Sequence, residues 1–397
     1  MGNSFKLDLI QKSVIAICFF CNMLDGMDVL IISYSAPAIA QSFQISPSAL
    51  GVVFSSGLFG MTIGAALLAP LADRFGRKPM MIFAALLMGL FIYLTASAAS
   101  VTILMLYRFF SGLGIGIMLA TTAALTAEYA PEKTRGFWVS FVITGYPIGA
   151  VLTGLSAVRI IEAYGWEELY KYAGIISFVA IPILWVFLRE SIAYQKTKDV
   201  KKSQNPMVLF DSKLKANTTK LWMALFFCFS TLYYLLSWIP KLATDAGLPV
   251  NLALYAGIVF NIGAVVGIIT QGFISVRFGL VKTVGIILLI TTLFLITFGL
   301  FQGSALMLVV LFLLGFTLQS GFVGLYAIAA SLYETHIRAT GVGWSVGVGR
   351  IGGIVGPILG GFLLTFGLNM TKSFMVFAIP LFIAGMLTLK IKMKSNA

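Results

Sequence analysis

Apolar stretches of roughly 20 residues or more recur along almost the whole 397-residue chain, among them Ser13 to Ala40, Pro47 to Ala72, Pro79 to Ala99 and Val281 to Phe301. A helix needs roughly 20 apolar residues to cross the hydrocarbon core of a bilayer. Lipid offers no partner to backbone N–H and C=O groups, so a spanning segment must be a helix or part of a closed barrel. The period-two alternation of barrel strands is not seen. With 59% apolar and only 10% charged residues, the composition lies far outside that of a soluble domain of this size. The expected fold class is an all-α membrane protein with about twelve transmembrane helices.

The helices are predicted at roughly residues 13–41, 47–73, 79–99, 101–129, 134–162, 168–189, 218–245, 250–276, 281–301, 303–334, 339–366 and 371–392. One polar, basic break interrupts them, carrying Lys196, Lys198, Asp199, Lys201, Lys202, Asn205 and Pro206. It divides the chain into an N-terminal six-helix bundle (1–189), a basic linker (190–217) and a C-terminal six-helix bundle (218–397). The halves echo each other at a constant offset of 203 residues: Arg74-Phe75-Gly76 recurs as Arg277-Phe278-Gly279, and Arg135 as Arg338. Two pseudo-symmetric bundles related by duplication, with a site near the midplane between them, are the physical basis of alternating access in transporters.

A net charge of +13 raises the question of a nucleic-acid partner, and the placement of the basic residues answers against it. With both termini in the cytoplasm, most of the 27 Lys and Arg fall on that side. Arg159, Lys171, Lys241 and Lys372 fall outside, and Arg108 and Arg350 within the membrane. That asymmetry is a topology signal and suggests a multi-pass protein of the cell (inner) membrane. The first apolar stretch is long and contains Asp25 and Asp28, unlike a cleavable signal peptide. Cys18 and Cys21 form a CxxC, but both lie in an apolar helix without a second pair and read as small core residues. With Cys228 as the remaining cysteine there is no disulfide framework, and no metal or cofactor is expected.

Ionisable groups at membrane depth are the most informative residues, since each costs at least about 2.5–3.5 kcal/mol at a helix centre unless paired or hydrated. Helix 1 carries Leu24-Asp25-Gly26-Met27-Asp28, which puts two carboxylates on one face. Two neighbouring carboxylates cannot easily both stay ionised there, which suits reversible proton binding; the plainer alternative is that they neutralise Arg108 and Arg350. Those two arginines, on helices 4 and 11, each offer a permanently charged fork of donors that grips a carboxylate. One arginine per half is what an anion site needs, while Arg108 also fits a role in the proton path. Glu128, near the cytoplasmic end of helix 4, suits either a gate ion pair with Arg338 or Arg77 or a coupling role. Tyr34, Tyr146, Tyr233, Tyr234, Trp238, Tyr326 and Trp344 offer rings and polar tips to a planar ligand, Tyr326 first among them because it shares helix 10 with Gln319, seven residues away.

Two glycine-bearing segments frame these groups. Ala69-Pro-Leu-Ala-Asp73-Arg74-Phe-Gly76-Arg77-Lys78 resembles the signature loop between helices 2 and 3 of the major facilitator superfamily, with Ala69 where that signature usually begins with Gly. There Asp73 can sit against a helix terminus or a basic side chain and help to hold the cytoplasmic side shut; otherwise the segment is only a basic, positive-inside loop. Helix 11 contains Gly352-Gly353-Ile-Val-Gly356-Pro357-Ile-Leu-Gly360-Gly361, small residues four apart that allow close helix approach. The upstream Gly347-Val-Gly349-Arg-Ile-Gly352 matches a dinucleotide fingerprint only by letter, with neither the preceding strand nor the later acidic residue.

Asp25-Gly-Met-Asp28, Gln319-Ser-Gly321 with Tyr326-Ala327, and Arg338-Ala-Thr-Gly-Val-Gly-Trp344 running into Gly347-Val-Gly-Arg350-Ile-Gly352 resemble the aromatic acid:proton symporter family of that superfamily. Trp238-Ile-Pro240 and Asp245-Ala-Gly-Leu248 are similar too. The resemblance implies the major facilitator fold, import of benzoate, hydroxybenzoates or related acids with protons, and functional roles for Asp25, Asp28, Arg108, Glu128, Arg338 and Arg350. The chain departs from the family in having no histidine in the membrane, its only one being His336 in a cytoplasmic loop.

Together these readings predict a symporter, not an enzyme, that works as a monomer. Proton coupling falls to Asp25, Asp28 and Glu128; substrate binding to Arg108, Arg350, Gln319, Tyr326, Tyr34 and Trp238; and a cytoplasmic gate to Asp73, Arg74, Arg77 and Arg338. The expected partners are a small organic anion, protons and the lipid bilayer. Proton-driven export of a drug or metabolite is the rival reading, and a membrane sensor or enzyme a remote one, since no nucleophile–base pair, metal cluster or large soluble domain is evident.

Overall fold

The computed structural model describes residues 7–191, 209, 211, 214–245, 247–301, 306–334 and 337–393, apart from the side chains of Lys133 and Ala339. The linker residues Lys196 to Pro206 and His336 lie outside the described residues. Twelve helices long and apolar enough to span a bilayer are present among those described. They are α1 (Leu9–Phe43), α2 (Pro47–Phe75), α3 (Arg77–Thr95), α4 (Val101–Tyr129), α5 (Arg135–Tyr164), α6 (Trp166–Phe187), α7 (Lys215–Asp245), α8 (Val250–Phe278), α9 (Leu280–Leu300), α10 (Leu306–Leu332), α11 (Arg338–Thr365) and α12 (Met370–Leu389). The chain divides into two compact units, Met1–Lys201 with α1–α6 and Lys202–Ala397 with α7–α12.

Local chemistry sets the helix limits. α1 begins at Leu9, ahead of the apolar run, because Asp8 and Gln11 form a reciprocal capping box: the Asp8 carboxylate accepts from the Gln11 N–H at 2.7 Å, and the Gln11 side chain accepts from the Asp8 N–H at 3.0 Å. In α2 the helix loosens into a π turn at Gly64–Leu68 and a tight turn at Ala69–Leu71, where Pro70 cannot donate to the preceding turn. α5 breaks at Thr144 for the same reason, since Pro147 cannot bond the carbonyl of Ile143.

Within each unit the helices pack in the same pairs. In the first, α1 lies on α5, α2 on α4, and α3 on α4 and α6; in the second, α7 lies on α11, α8 on α10, and α9 on α10 and α12. Association in lipid has little hydrophobic drive and depends on close backbone contact through small residues. Gly60 and Gly112 show this in the first unit: a Cβ at Gly60 would overlap the Phe109 carbonyl, and one at Gly112 the Gly57 carbonyl. In the second, Gly352 and Gly356 of α11 lie as tightly on the Phe226 and Ser230 carbonyls of α7.

The 203-residue echo has a shared geometry. Gly76 and Gly279 both end a helix at positive φ, +97° and +83°, a conformation that side-chain-bearing residues rarely adopt. The preceding arginine lies over the preceding phenylalanine ring at 5.5 Å in both, Arg74 on Phe75 and Arg277 on Phe278. Arg135 and Arg338 each open a helix.

Gly112→Ala should overpack the α2–α4 contact and cost about 1–3 kcal/mol, seen as a lower melting temperature in detergent. Gly136→Ala, where a Cβ meets nothing within 4 Å, should leave the melting temperature unchanged.

Candidate functional site

In the first unit the candidate residues converge on α1 and α4. Asp25 and Asp28 are fully buried, and Arg108 is 2% exposed. The Arg108 guanidinium embraces Asp28: Nη1 donates to the Asp28 Oδ1, and Nη2 donates to the Asp28 backbone carbonyl at 2.7 Å. The Ser111 hydroxyl, one turn along α4, approaches the same Oδ1 at 3.4 Å. Gly57 of α2 packs against this arginine: a Cβ there would lie 3.4 Å from Nη2, in ordinary contact. Asp28 Oδ2 and Arg108 Nε form no hydrogen bond among the described residues. One carboxylate oxygen is therefore held by the arginine while the other remains able to take a proton.

A buried ion pair is a poor stabilising device, because desolvating both charges offsets most of their attraction. Its retention at membrane depth points to function. Tyr170 of α6 is fully buried within electrostatic reach of Arg108 and Asp28, and its hydroxyl lies 3.2 Å from that of Ser35 on α1. Tyr34 is also buried on α1.

At one end of the same unit a second charged cluster surrounds the turn between α2 and α3. Of the two partners the sequence offered for Glu128, Arg77 takes it in an ion pair. The contact from Arg77 to Asp73 is long, 3.9 Å, and Asp73 is largely exposed, which makes it weak. Two residues missing from the sequence reading complete this cluster. Glu190 accepts from the backbone N–H groups of Arg77 (2.8 Å) and Lys78 (3.3 Å), capping the start of α3, and Ser191 donates its hydroxyl to Glu128 Oε2 at 2.6 Å. The Tyr129 hydroxyl donates to the Glu190 carbonyl at 2.9 Å. Gly76 admits the Glu190 carboxylate, since a Cβ would stand 2.5 Å from its Oε2. Glu190 and Ser191 read as the first residues of a polar linker, so no local pattern announced that they fold back onto this bundle.

In the second unit Arg350 sits half-buried on α11 and forms no ion pair among the described residues. Tyr326 of α10 is within its electrostatic reach. Around Tyr326 stands an aromatic wall: Phe322 at 5.1 Å and Phe229 at 6.2 Å between ring centroids, with Tyr233 stacked on Phe229 at 5.9 Å. The wall has a sequence signature: Phe229 and Tyr233 are four apart on α7, and Gly349 and Gly353 are four apart on α11. A Cβ on Gly349 would stand 2.6 Å from the Phe229 ring, and one on Gly353 would stand 3.0 Å from that of Tyr233. Arg350 follows the first of these glycines directly.

The remaining candidates of this unit also lie on α7, α10 and α11. Trp238 is fully buried, its indole N–H donating to the Pro357 carbonyl at 3.0 Å, and Gln319 is buried on α10. Tyr234 stacks on Phe377 at 3.8 Å in the core, and Trp344 is 48% exposed, in the manner of an interfacial anchor. Arg338 donates from Nε to the Tyr333 carbonyl at 3.3 Å at the start of α11. No cluster of metal-ligating side chains occurs among the described residues.

Comparison with known proteins agrees with this architecture. The family profile of the Major Facilitator Superfamily matches residues 18–276 and 269–396. The 4-hydroxybenzoate transporter PcaK of Pseudomonas putida is 30% identical, over 95% of this chain and 92% of that one. The 3-(3-hydroxy-phenyl)propionate transporter of Escherichia coli (strain K12) is 32% identical over 94% and 92%, and the benzoate transport protein of Acinetobacter baylyi is 29% identical over 96% and 89%. Among solved structures, a crystal structure of a D-xylose-proton symporter superposes with a TM-score of 0.81 at 18% identity, covering 97% of this chain and 98% of that one. The chain belongs to the major facilitator superfamily, in its aromatic acid:proton symporter family, and is a multi-pass membrane transport protein.

Proposed function

We propose that this transporter imports an aromatic monocarboxylate together with protons by alternating access. It would work as a monomer in the cell (inner) membrane with both termini cytoplasmic. The observation that carries the substrate reading is Arg350 without a carboxylate partner among the described residues, beside the wall of Phe229, Tyr233, Phe322 and Tyr326. A guanidinium fork binds a carboxylate through two charge-assisted bonds, and aromatic faces accept a planar ring by offset or edge-on contact. The names of the curated relatives, which include 4-hydroxybenzoate, gallate, gentisate and benzoate carriers, support the same class.

Energetics make proton coupling useful. Moving a monoanion into a negative-inside cell costs about 2.3 kcal/mol per 100 mV. One accompanying proton makes the cycle electroneutral and leaves the pH gradient to supply about 1.4 kcal/mol per unit. A second proton would add the membrane potential. Asp28 suits the coupling role: Arg108 fixes one oxygen and the backbone carbonyl, while Oδ2 can bind and release a proton without dismantling that arrangement. Asp25, one turn away on the same face, is the second carboxylate of this site. Glu128, held by Arg77 and Ser191, belongs with Asp73, Arg74 and Arg338 to the cytoplasmic gate.

In proteoliposomes, initial uptake of labelled 4-hydroxybenzoate or benzoate above the rate of protein-free vesicles should rise with an inward proton gradient. Asp28→Asn should lower that gradient-driven uptake at least about tenfold. Uptake indifferent to the gradient would exclude symport.

Losing a bidentate charged contact costs about 1.5–3 kcal/mol. Arg350→Gln should therefore raise the apparent KM about 10–150-fold, and Arg350→Lys should fall between it and wild type. An unchanged KM in Arg350→Gln would remove this residue from the substrate site.

A further inference from the structure

Below the Asp25/Asp28 pair, α1 and α4 carry a run of buried polar groups that substrate binding does not use. Asn22 precedes Asp25 by one turn and is 2% exposed; Cys18 lies one turn before it and is fully buried. The Asn22 amide Nδ2 donates to the Cys18 carbonyl at 3.1 Å and to the Thr122 hydroxyl of α4 at 3.2 Å. Thr122 and Thr126 are fully buried, and Thr126 stands beside the Cys18 thiol, within one turn of the end of α4. Asn22 Oδ1 makes no hydrogen bond among the described residues.

A buried amide with an unbonded carbonyl oxygen is destabilising. Apolar side chains fill most of the rest of α1, so packing alone does not call for asparagine here. The groups instead form a ladder, with Asp28 and Asp25 at the upper rungs and Asn22 with Thr122, then Cys18 with Thr126, below. In the orientation proposed above, this ladder descends toward the cytoplasm.

We propose that Asn22 and Thr122 are positioning residues for the cytoplasmic proton-release path. A proton leaves Asp28 Oδ2 for an Asp25 carboxylate oxygen, so Asp28 becomes ionised as Asp25 becomes neutral. It then leaves Asp25 for water held between Asn22 Oδ1 and the Thr122 hydroxyl. Each step moves one proton and leaves an ionised carboxylate behind; the final acceptor is water on the cytoplasmic side. The other titratable or charged groups near this path are Cys18 and Cys21 on α1, Arg108 on α4, Tyr146 on α5 and Tyr170 on α6. Both thiols are fully buried, and Arg108 faces Asp28 from the opposite side of the pair to Asn22.

The inference rests on the symport reading, and the test separates the two. Full-length wild type, Asn22→Leu and Thr122→Val are reconstituted with 4-hydroxybenzoate as probe. Each is assayed for equal-pH counterflow, which exchanges substrate without requiring net proton release, and for accumulation driven by an inward proton gradient. The expected result is counterflow within twofold of wild type and accumulation at least about tenfold lower in both variants, with Asn22→Ser recovering part of it. Gel-filtration behaviour checks folding, and Thr122→Val provides a nearly isosteric second probe. Wild-type accumulation in both Asn22→Leu and Thr122→Val overturns the path alone, as does an equal fall in counterflow and accumulation. Wild-type counterflow without gradient-driven accumulation overturns symport, and the path with it.

Discussion

The pairing of Asp28 with Arg108 is the constraint on which the first unit depends. A guanidinium and a carboxylate buried at 2% exposure or less are costly unless they meet. Satisfying them fixes the spacing of α1 and α4, sets Gly57 of α2 against the arginine side chain, and brings Tyr170 of α6 close. The pair thus draws four helices around one charged centre. It also leaves one oxygen of Asp28 unengaged among the described residues, so the interaction that organises the bundle does not saturate the group best suited to carry a proton.

The second unit answers with a different chemistry on the same plan. Its pairs α7–α11 and α8–α10 correspond to α1–α5 and α2–α4, and both use glycine to bring backbones together. At α11 the glycine rows serve two ends: Gly352 and Gly356 admit the α7 backbone, while Gly349 and Gly353 admit the Phe229 and Tyr233 rings. Arg350 lies beside the Gly349 row, on the side away from Gly352 and Gly356, with Tyr326 within its electrostatic reach and no carboxylate paired with it among the described residues. The contrast between an arginine already paired in one unit and one without a carboxylate in the other is the physical basis for assigning proton and anion to different halves.

The spans, the repeat and the arginines at membrane depth were legible because each rests on a periodic or energetic rule that acts locally. Hydropathy marks a span wherever the backbone must be satisfied internally, and the paired Arg-Phe-Gly turns share positive φ and a ring contact at Gly76 and Gly279. What escaped was contact between distant positions. Glu190 caps α3 across more than a hundred residues of sequence, and Ser191 reaches Glu128 from what reads as a linker. Phe229 and Phe322 are two of 33 phenylalanines, and nothing local in the sequence separates the few that meet Tyr326 from the rest. Trp238 and Tyr234 each meet a partner far away in sequence, the Pro357 carbonyl and the Phe377 ring, which no local pattern announces.

The central claim is that an aromatic carboxylate and protons move together. The most direct measurement traps a pH-sensitive dye inside proteoliposomes at equal pH on both sides and adds 4-hydroxybenzoate outside. The account predicts lumenal acidification faster than in protein-free vesicles and in fixed ratio to substrate uptake. Carrier-mediated uptake with acidification no faster than that of protein-free vesicles would contradict it.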